Sequence, residues 1–312
     1  MATAETATAD ALEQYRPELT GYCYRLLGSA FDAEDAVQET MVRAWRSLGR
    51  FEGRSSLKSW LYRIATNVCF DALSGRERRA RPMDLGPAQE PLIENIAELP
   101  EVTWITPLPT PDELAEQRDT LRLAFVAALQ HLPAKQRAAL ILCEVLKWQA
   151  SEAAELLETS VASVNSALQR ARATLASADV DAPAELDKET LALLERYVSA
   201  FEAYDIDRLT DLLHEDAVQS MPPISLWLEG RDDIFTWWLG PGIGCKGSKL
   251  VPAGLVNGMP AWGQYKPDPD RGGRAPWALI VPEVSDGRIV ELTFFLDTER
   301  LFPLFGLADR LD

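Results

Sequence analysis

The sequence predicts a multidomain protein: two all-α domains, the second carrying a helix-turn-helix, followed by an α+β domain. Three observations predict it. Up to residue 178 apolar residues recur at helical spacing, beyond residue 185 short strand-like runs are broken by Gly and Pro, and a proline-rich acidic stretch divides the helical part. The expected divisions are 10–81 for the first helical domain, 82–111 for a partly flexible linker, 112–178 for the second helical domain and 185–312 for the α+β domain.

In the first domain, Asp32 reads as a helix N-cap with Asp35 three residues on, and Val37, Met41, Ala44, Trp45 and Leu48 follow as the apolar stripe. Ser55 or Ser56 caps the next helix, and Gly75 relieves its end. On that helix Leu57, Leu61, Ile64, Val68 and Ala72 share one narrow arc. Tyr62, Arg63, Thr66, Asn67 and Phe70 take the opposite side, with Trp60 at the border. Aromatic rings beside an amide and an arginine suit single-stranded nucleic acid, which stacks on rings and offers base edges to Asn. Arg76, Arg78, Arg79 and Arg81 continue into a phosphate-binding run. The plainer alternative is that the rings pack on another domain and the arginines are solvated.

In the second domain, SEAAELL, a short ETS turn and VASVNSALQRAR have the layout of a helix-turn-helix. Ala153 and Ala154 allow close crossing, and Val161, Val164, Leu168 and Ala171 are expected inward. Ser163, Asn165, Ser166, Gln169, Arg170 and Arg172 are then outward, where amides and arginines can read base edges or phosphate. An ordinary amphipathic helix hairpin would share this pattern and stays the alternative; a DNA-facing helix gives a cause for the lack of any acid from Thr159 to Ala178. A carboxylate there would be driven against phosphate.

The net charge of −17 hides a partition. Residues 40–81 carry +7 and 120–178 carry +2, whereas 1–39, 82–119 and 179–312 carry −6, −8 and −12. A nucleic-acid footprint is a local patch, so the overall charge does not exclude DNA. No apolar run approaches a membrane span, which leaves no role for a membrane. The start MATAETATADALEQ lacks the order of a signal peptide and reads as a disordered lead-in. Cys23, Cys69, Cys143 and Cys245 lie far apart without a CxxC, which points to the cytosol, reduced thiols, no metal site and no cofactor.

Taken in order, FDAEDAVQETMVRAW, SSLKSWLYRIATNVCFDALSGRERR and LPAKQRAALILCEVLKWQASEAAELLETSVASVNSALQRARATL resemble the extracytoplasmic-function class of sigma-70-type sigma factors. The resemblance implies core RNA polymerase as partner, through its β′ clamp helices and β flap, with promoter DNA. It implies that Asp35, Gln38 and Glu39 bind the clamp helices, that Trp60 to Asp71 opens and reads the −10 element with Asn67 facing a flipped base, and that the outward residues from Ser163 to Arg172 contact the −35 element. Asn165, Ala167 and Gln169 stand where relatives often carry Arg or bulky residues, which weakens the expected intrinsic −35 affinity.

Residues 185–312 resemble a SnoaL-like domain of the nuclear-transport-factor-2 fold, a cone of curved sheet wrapped by helices. The resemblance rests on LERYVSAFEAYDIDRLTDLLHEDAVQSMPP, VNGMPAWGQYKP and GRIVELTFFLD. It implies regulation in cis, with the extra domain taking the place of a separate anti-sigma factor and with a small molecule as a candidate ligand. Trp104 in the linker is expected to anchor the arrangement. Trp227, Trp237, Trp238, Trp262 and Trp277 could line a ligand cavity, fill the cone or face the helical domains. His214, Glu215 and Asp216 could serve as a general base, or simply mark a helix meeting a strand. Two rival functions are a one-component regulator that senses a ligand, and a SnoaL-like enzyme with vestigial sigma domains. The first would need neither Asp35, Gln38 and Glu39 nor the aromatic face, and both are present.

Overall fold

The computed structural model describes residues 11–53, 55–176 and 186–312, with the side chains of Asp112, Ala115, Glu116 and Arg118 left aside. Residues 1–10 of the expected lead-in and the expected junction between the second helical domain and the α+β domain fall outside the described residues; residues 11–13, also expected to be disordered, are helical because Leu12 is buried, at 4% exposure. Contacts divide the chain into two compact units, Met1–Arg79 with Ile105–Val180, and Ala80–Trp104 with Asp181–Asp312.

The first unit is helical. Helices α1 (Arg16–Leu27), α2 (Ala30–Ser47) and α3 (Leu57–Leu73) pack on one another, and α4 (Leu123–Gln130), α5 (Ala134–Leu140), α6 (Ala150–Leu156) and α7 (Val161–Leu175) follow. Gly28 closes α1 at φ 71°, a conformation that costs glycine little. Ser29, extended at φ −139°, then caps α2 by accepting the Asp32 amide at 3.2 Å. The helix therefore starts before the cap expected at Asp32. Ser56 caps α3 by accepting the Ser59 amide at 3.0 Å, and Gly75 follows its end at φ 74°.

From Asp112 to Leu121 the chain makes 3-10 turns where an α-helix is expected. The carbonyls of Gln117 and Thr120 accept from the Arg25 guanidinium, which draws them away from a regular helical ladder. In the helix-turn-helix, Glu158 turns the chain at φ 51° and Ser160 caps α7 at 3.1 Å. Val164, Ala167, Leu168 and Ala171 are buried, but Val161 at the first helical position is 43% exposed, contrary to its expected inward place.

Two buried arginines hold the helices of this unit together. Arg137 on α5 donates to the Leu26 carbonyl of α1, to Gln130 Oε1 at 2.6 Å, and to the Gln130 and Leu132 carbonyls at 3.1 and 3.0 Å. Arg25 on α1 reaches Gln117 Oε1 at 3.1 Å and Thr120 Oγ1 at 2.7 Å. Burial pulls each guanidinium down to about 10, which still leaves both charged at neutral pH.

The second unit contains a six-stranded sheet in the order β2-β1-β6-β5-β4-β3, formed by β1 (Leu213–Ser220), β2 (Trp227–Glu229), β3 (Lys249–Val256), β4 (Met259–Pro267), β5 (Arg274–Ser285) and β6 (Arg288–Phe295). Only the β1–β6 pair is parallel. Asn257-Gly258 and Asp286-Gly287, all at positive φ, make the two tight hairpins, because that geometry matches the twist of the flanking strands. Helices α8 (Lys188–Ala203), α9 (Ile206–Leu212) and α10 (Arg231–Leu239) cover the sheet, and α11 (Thr298–Leu304) packs on β5. Tyr197 and Phe201 of α8, Trp238 of α10, and Ile280, Leu292 and Phe294 of the sheet share one apolar core.

Residues 80–104, from the expected linker, belong to this unit. Ala80 and Trp104 pair in a parallel bridge, and the Ala80 amide donates to the Thr103 carbonyl at 2.8 Å. Between them the chain is tied to the β1–β2 connection and to β2. The Leu99 amide donates to the Pro223 carbonyl at 3.0 Å, the Ser225 amide to the Ala97 carbonyl at 2.8 Å, and the Trp227 indole to the Gly86 carbonyl at 2.9 Å.

Candidate functional site

On α2, Asp35, Gln38 and Glu39 are all exposed and, at spacings of three and four, share one face. Glu39 holds Arg43 at 2.6 Å, and Arg43 lies 3.8 Å from Asp71 on α3. Trp45, expected inward, is 60% exposed. At 100° per residue it falls beside Gln38, so an indole stands uncovered next to the acidic face. Sequence reasoning missed it because the inward stripe was extended by one residue past Ala44.

On α3 the buried arc is not the one expected. Leu61, Tyr62, Ala65, Thr66, Val68 and Cys69 are buried, and Asn67 and Asp71 are exposed. Tyr62 is the main correction to the nucleic-acid face, since it has no exposed surface. Its ring lies between Tyr22 at 5.0 Å and Trp148 at 5.1 Å, and its hydroxyl donates to Glu18 at 3.3 Å. Burial, with the Glu18 carboxylate beside it, pushes the phenol well up, so it stays neutral. Thr66, also expected outward, shares a 2.7 Å hydrogen bond with the Tyr22 hydroxyl. Arg63 reaches Glu155 of α6 at 3.4 Å, Trp60 stacks on Phe51 at 5.0 Å, and Phe70 is half-buried.

The arginine run after α3 is partly engaged internally. Arg76 and Arg79 meet Asp32 at 3.1 and 2.9 Å, and Arg78 contacts His131. Arg76 and Arg78 are exposed, whereas Arg79 is only 6% exposed and is not presented as a member of the expected phosphate-binding run. Asp32 explains this: a helix N-terminus favours an acid, and that acid then gathers two guanidinium groups.

On α7 the outward face is close to the expected one. Ser163, Asn165, Gln169, Arg170 and Arg172 are exposed and Ser166 is half-buried. Arg170 donates to Ser166 Oγ at 2.8 Å, and Arg172 pairs with Glu144. No acid interrupts this face.

In the second unit Trp104 is 2% exposed and donates to the Leu99 carbonyl at 3.3 Å. A cavity of about 280 Å³ opens among α8, α10, the sheet and residues 93–96. Of the residues expected there, Trp237, Trp238 and Trp277 line it. His214, Asp216, Trp227 and Trp262 do not. Trp227 is turned to Gly86, and Trp262 is buried on β4 opposite Pro252 and Ile280. His214 accepts the Asp216 amide at 3.2 Å at the strand edge, and Asp216 points to solvent, so the pair is not aimed at the cavity. Two amides that line it, Gln219 and Gln264, were missed because an amide within a strand carries no local signal of burial.

Among the described residues no helix is long and apolar enough to cross a membrane, and no group of three His, Cys, Asp or Glu could hold a metal ion.

The family models for Sigma-70 region 2, Sigma-70 region 4 and the SnoaL-like domain match residues 11–79, 122–175 and 194–292. The chain is 44% identical to the ECF RNA polymerase sigma factor SigG of Mycobacterium tuberculosis (strain ATCC 25618 / H37Rv), over 96% of this chain and 83% of that protein. It is 30% identical to the RNA polymerase sigma-H factor of Pseudomonas aeruginosa, over 51% of this chain and 79% of the relative. The crystal structure of the Mycobacterium tuberculosis extracytoplasmic function sigma factor SigJ shares the fold, with a TM-score of 0.65 at 23% identity over 96% of this chain and 99% of that one. With both sigma regions in place, a SnoaL-like domain behind them and a relative of this identity along nearly its whole length, the chain belongs to the ECF sigma factors of RNA polymerase, the alternative sigma factors of transcription initiation.

Proposed function

We propose that the SnoaL-like domain regulates this sigma factor in cis by holding the segment that joins regions 2 and 4. The observation that carries this reading is the closed loop of residues 80–104: its ends pair at Ala80 and Trp104, and its body is hydrogen-bonded to the β1–β2 connection and β2. Arg81 adds ion pairs to Asp84 at 3.6 Å and to Glu291 of β6 at 3.4 Å. Clamping the two ends fixes how far region 2 and region 4 can separate along the chain. A domain that holds or releases this clamp controls whether both regions can reach their targets together, and does so without a separate anti-sigma factor.

In this reading Asp35, Gln38 and Glu39 bind the β′ clamp helices of core polymerase, with exposed Trp45 adding apolar contact. Region 4 meets the β flap, Trp60 to Asp71 opens the −10 element, and Ser163 to Arg172 contact the −35 element. The working divisions are 10–81, 82–111, 112–178 and 185–312, and the site of action is the cytoplasm, where the polymerase is. The contact of Tyr62 with Trp148 favours a resting form in which the −10 face is covered, so initiation requires that cover to open. The charge partition fits the same picture, since the free factor would bind promoter DNA poorly and gain affinity only with the polymerase.

The test is promoter-dependent transcription with core RNA polymerase, comparing the full chain, a chain ending near Ala184 and Trp104→Ala. Higher activity in the shortened chain and in Trp104→Ala supports restraint by the C-terminal domain, and loss of activity in both supports a required scaffold. Three equal activities would remove regulation in cis.

A further inference from the structure

Val161 opens α7, and the apolar spacing of the helix assigns it to the core, yet it is 43% exposed. Helix geometry places it on the rim. At 100° per residue it falls about 20° outside Leu168, the outermost of the buried positions, and about 40° from exposed Asn165, one turn further on. The start of the helix around it is open, with Ser160, Ala162 and Ser163 exposed as well. The Ser160 hydroxyl is spent inside the helix, since it accepts the Ser163 amide at 3.1 Å and donates to the Ser163 hydroxyl at 3.0 Å. Beside the Asn165 amide, then, this end of α7 presents carbon: the methyl groups of Val161 and Ala162.

The other residues of the exposed side give that carbon a use. Asn165, Gln169, Arg170 and Arg172 carry hydrogen-bonding groups, and a recognition helix lies in the major groove with its N-terminal residues against base edges. Amides and guanidinium groups match the donors and acceptors of those edges. None of them matches the 5-methyl group, which thymine alone adds to the groove. Valine is also a weak choice for a solvated first turn, where its branched side chain loses freedom and an acid or a small polar residue is favoured. Water gives its exposed methyls nothing in return. Against a thymine methyl they leave water without stripping any polar group of its partner.

We propose that Val161 is a specificity-determining residue of region 4, and that it reads a thymine by packing its methyls on the 5-methyl group, next to the base met by Asn165. This role rests on the proposed meeting of α7 with the −35 element. It adds a position outside Ser163 to Arg172 and a way of reading that no hydrogen bond supplies.

The test starts from promoters selected by the reconstituted holoenzyme from a library randomised across the −35 element. In a selected promoter each thymine of that element, on either strand, is replaced in turn by deoxyuridine, which lacks only the methyl and keeps the base pair. The expected result is one position, or two adjacent ones, where initiation by the native chain at limiting holoenzyme falls about fourfold, the worth of one methyl kept from water. Val161→Ser, at an exposed position, should initiate equally from the thymine and deoxyuridine forms there. The proposal is overturned if the selected elements hold no A·T pair, if no thymine responds, or if Val161→Ser responds as the native chain does. Asn165→Ala and Gln169→Ala on the same promoter separate the two levels. If they lower initiation while the methyl and Val161 are silent, the role of Val161 fails and the −35 contact of α7 stands. If the library shows no −35 preference, or none of these changes matters, the −35 contact fails and the role of Val161 with it.

Discussion

Two helices of the sigma unit are proposed above to meet DNA, and they stand in opposite states. The outward side of α7 carries Ser163, Asn165, Gln169, Arg170 and Arg172 in the open, whereas the side of α3 expected to meet the −10 strand has Tyr62 and Thr66 buried and Arg63 drawn to Glu155. The difference follows from side-chain chemistry. Small polar residues and arginines on α7 gain little from leaving water, so they stay largely exposed even where Arg172 pairs with Glu144. A tyrosine on α3 brings a large apolar ring, and Trp148 with Tyr22 buries it at centroid distances near 5 Å. An aromatic face suited to stacking bases is, in their absence, a face that packs on its own chain.

The largest test of that comparison removes the fastening of the unit. Arg137 serves the Leu26, Gln130 and Leu132 carbonyls from a buried site. Arg137→Ala leaves those acceptors without a donor and should cost about 3 kcal/mol or more in urea unfolding. Arg137→Lys should recover only part of it, because an ammonium lacks the planar fork. A loss under about 1 kcal/mol would mean that water replaces the guanidinium and that the fastening lies elsewhere.

Next in size is the cover itself. Trp148→Ala removes one of the two rings against Tyr62 and should lower stability by about 1–2 kcal/mol, the worth of an aromatic pair with its partly buried surface. The same change should raise the affinity of the free chain for a single-stranded −10 oligonucleotide, read by fluorescence anisotropy. Unchanged DNA affinity would show that the covered ring is not what silences α3.

The open face should answer differently. Asn165→Ala and Gln169→Ala should leave the unfolding curve within about 0.5 kcal/mol, since both side chains are exposed. Each should reduce transcription from promoters that need the −35 element by roughly 1–3 kcal/mol of recognition if it reads a base edge. Asn67→Ala, exposed on α3, should behave in the same way toward the −10 element. A fall in stability at any of the three would mean the side chain is structural.

The contrast between the helices also shows what the sequence could disclose. The outward side of α7 was legible because amphipathic spacing and the absence of acid are local properties. The covering of α3 was not, since Trp148 comes from a distant turn and no spacing within 57–73 announces it. The hairpins β3–β4 and β5–β6 were legible from strand-like runs ending in Asn-Gly and Asp-Gly. Residues 82–104 read as a flexible linker because composition reports side chains, whereas their backbone groups pair with the β1–β2 connection and β2. The cavity was half legible for the same kind of reason. Tryptophans advertised an aromatic interior, but which of them line a space depends on the packing of α8 and α10 against the sheet.

The smallest effect separates covering by packing from covering by charge. Arg63 and Glu155 meet at 3.4 Å with the carboxylate side chain 70% exposed, so solvent screens their attraction. Glu155→Gln should change stability by about 0.5 kcal/mol or less, and raising the salt concentration should do no more. If the rings hold the cover, −10 oligonucleotide binding by the free chain will respond to Trp148→Ala and stay flat in Glu155→Gln. If Glu155→Gln alone opens α3 to DNA, the closed face is electrostatic and the aromatic stack is incidental to it.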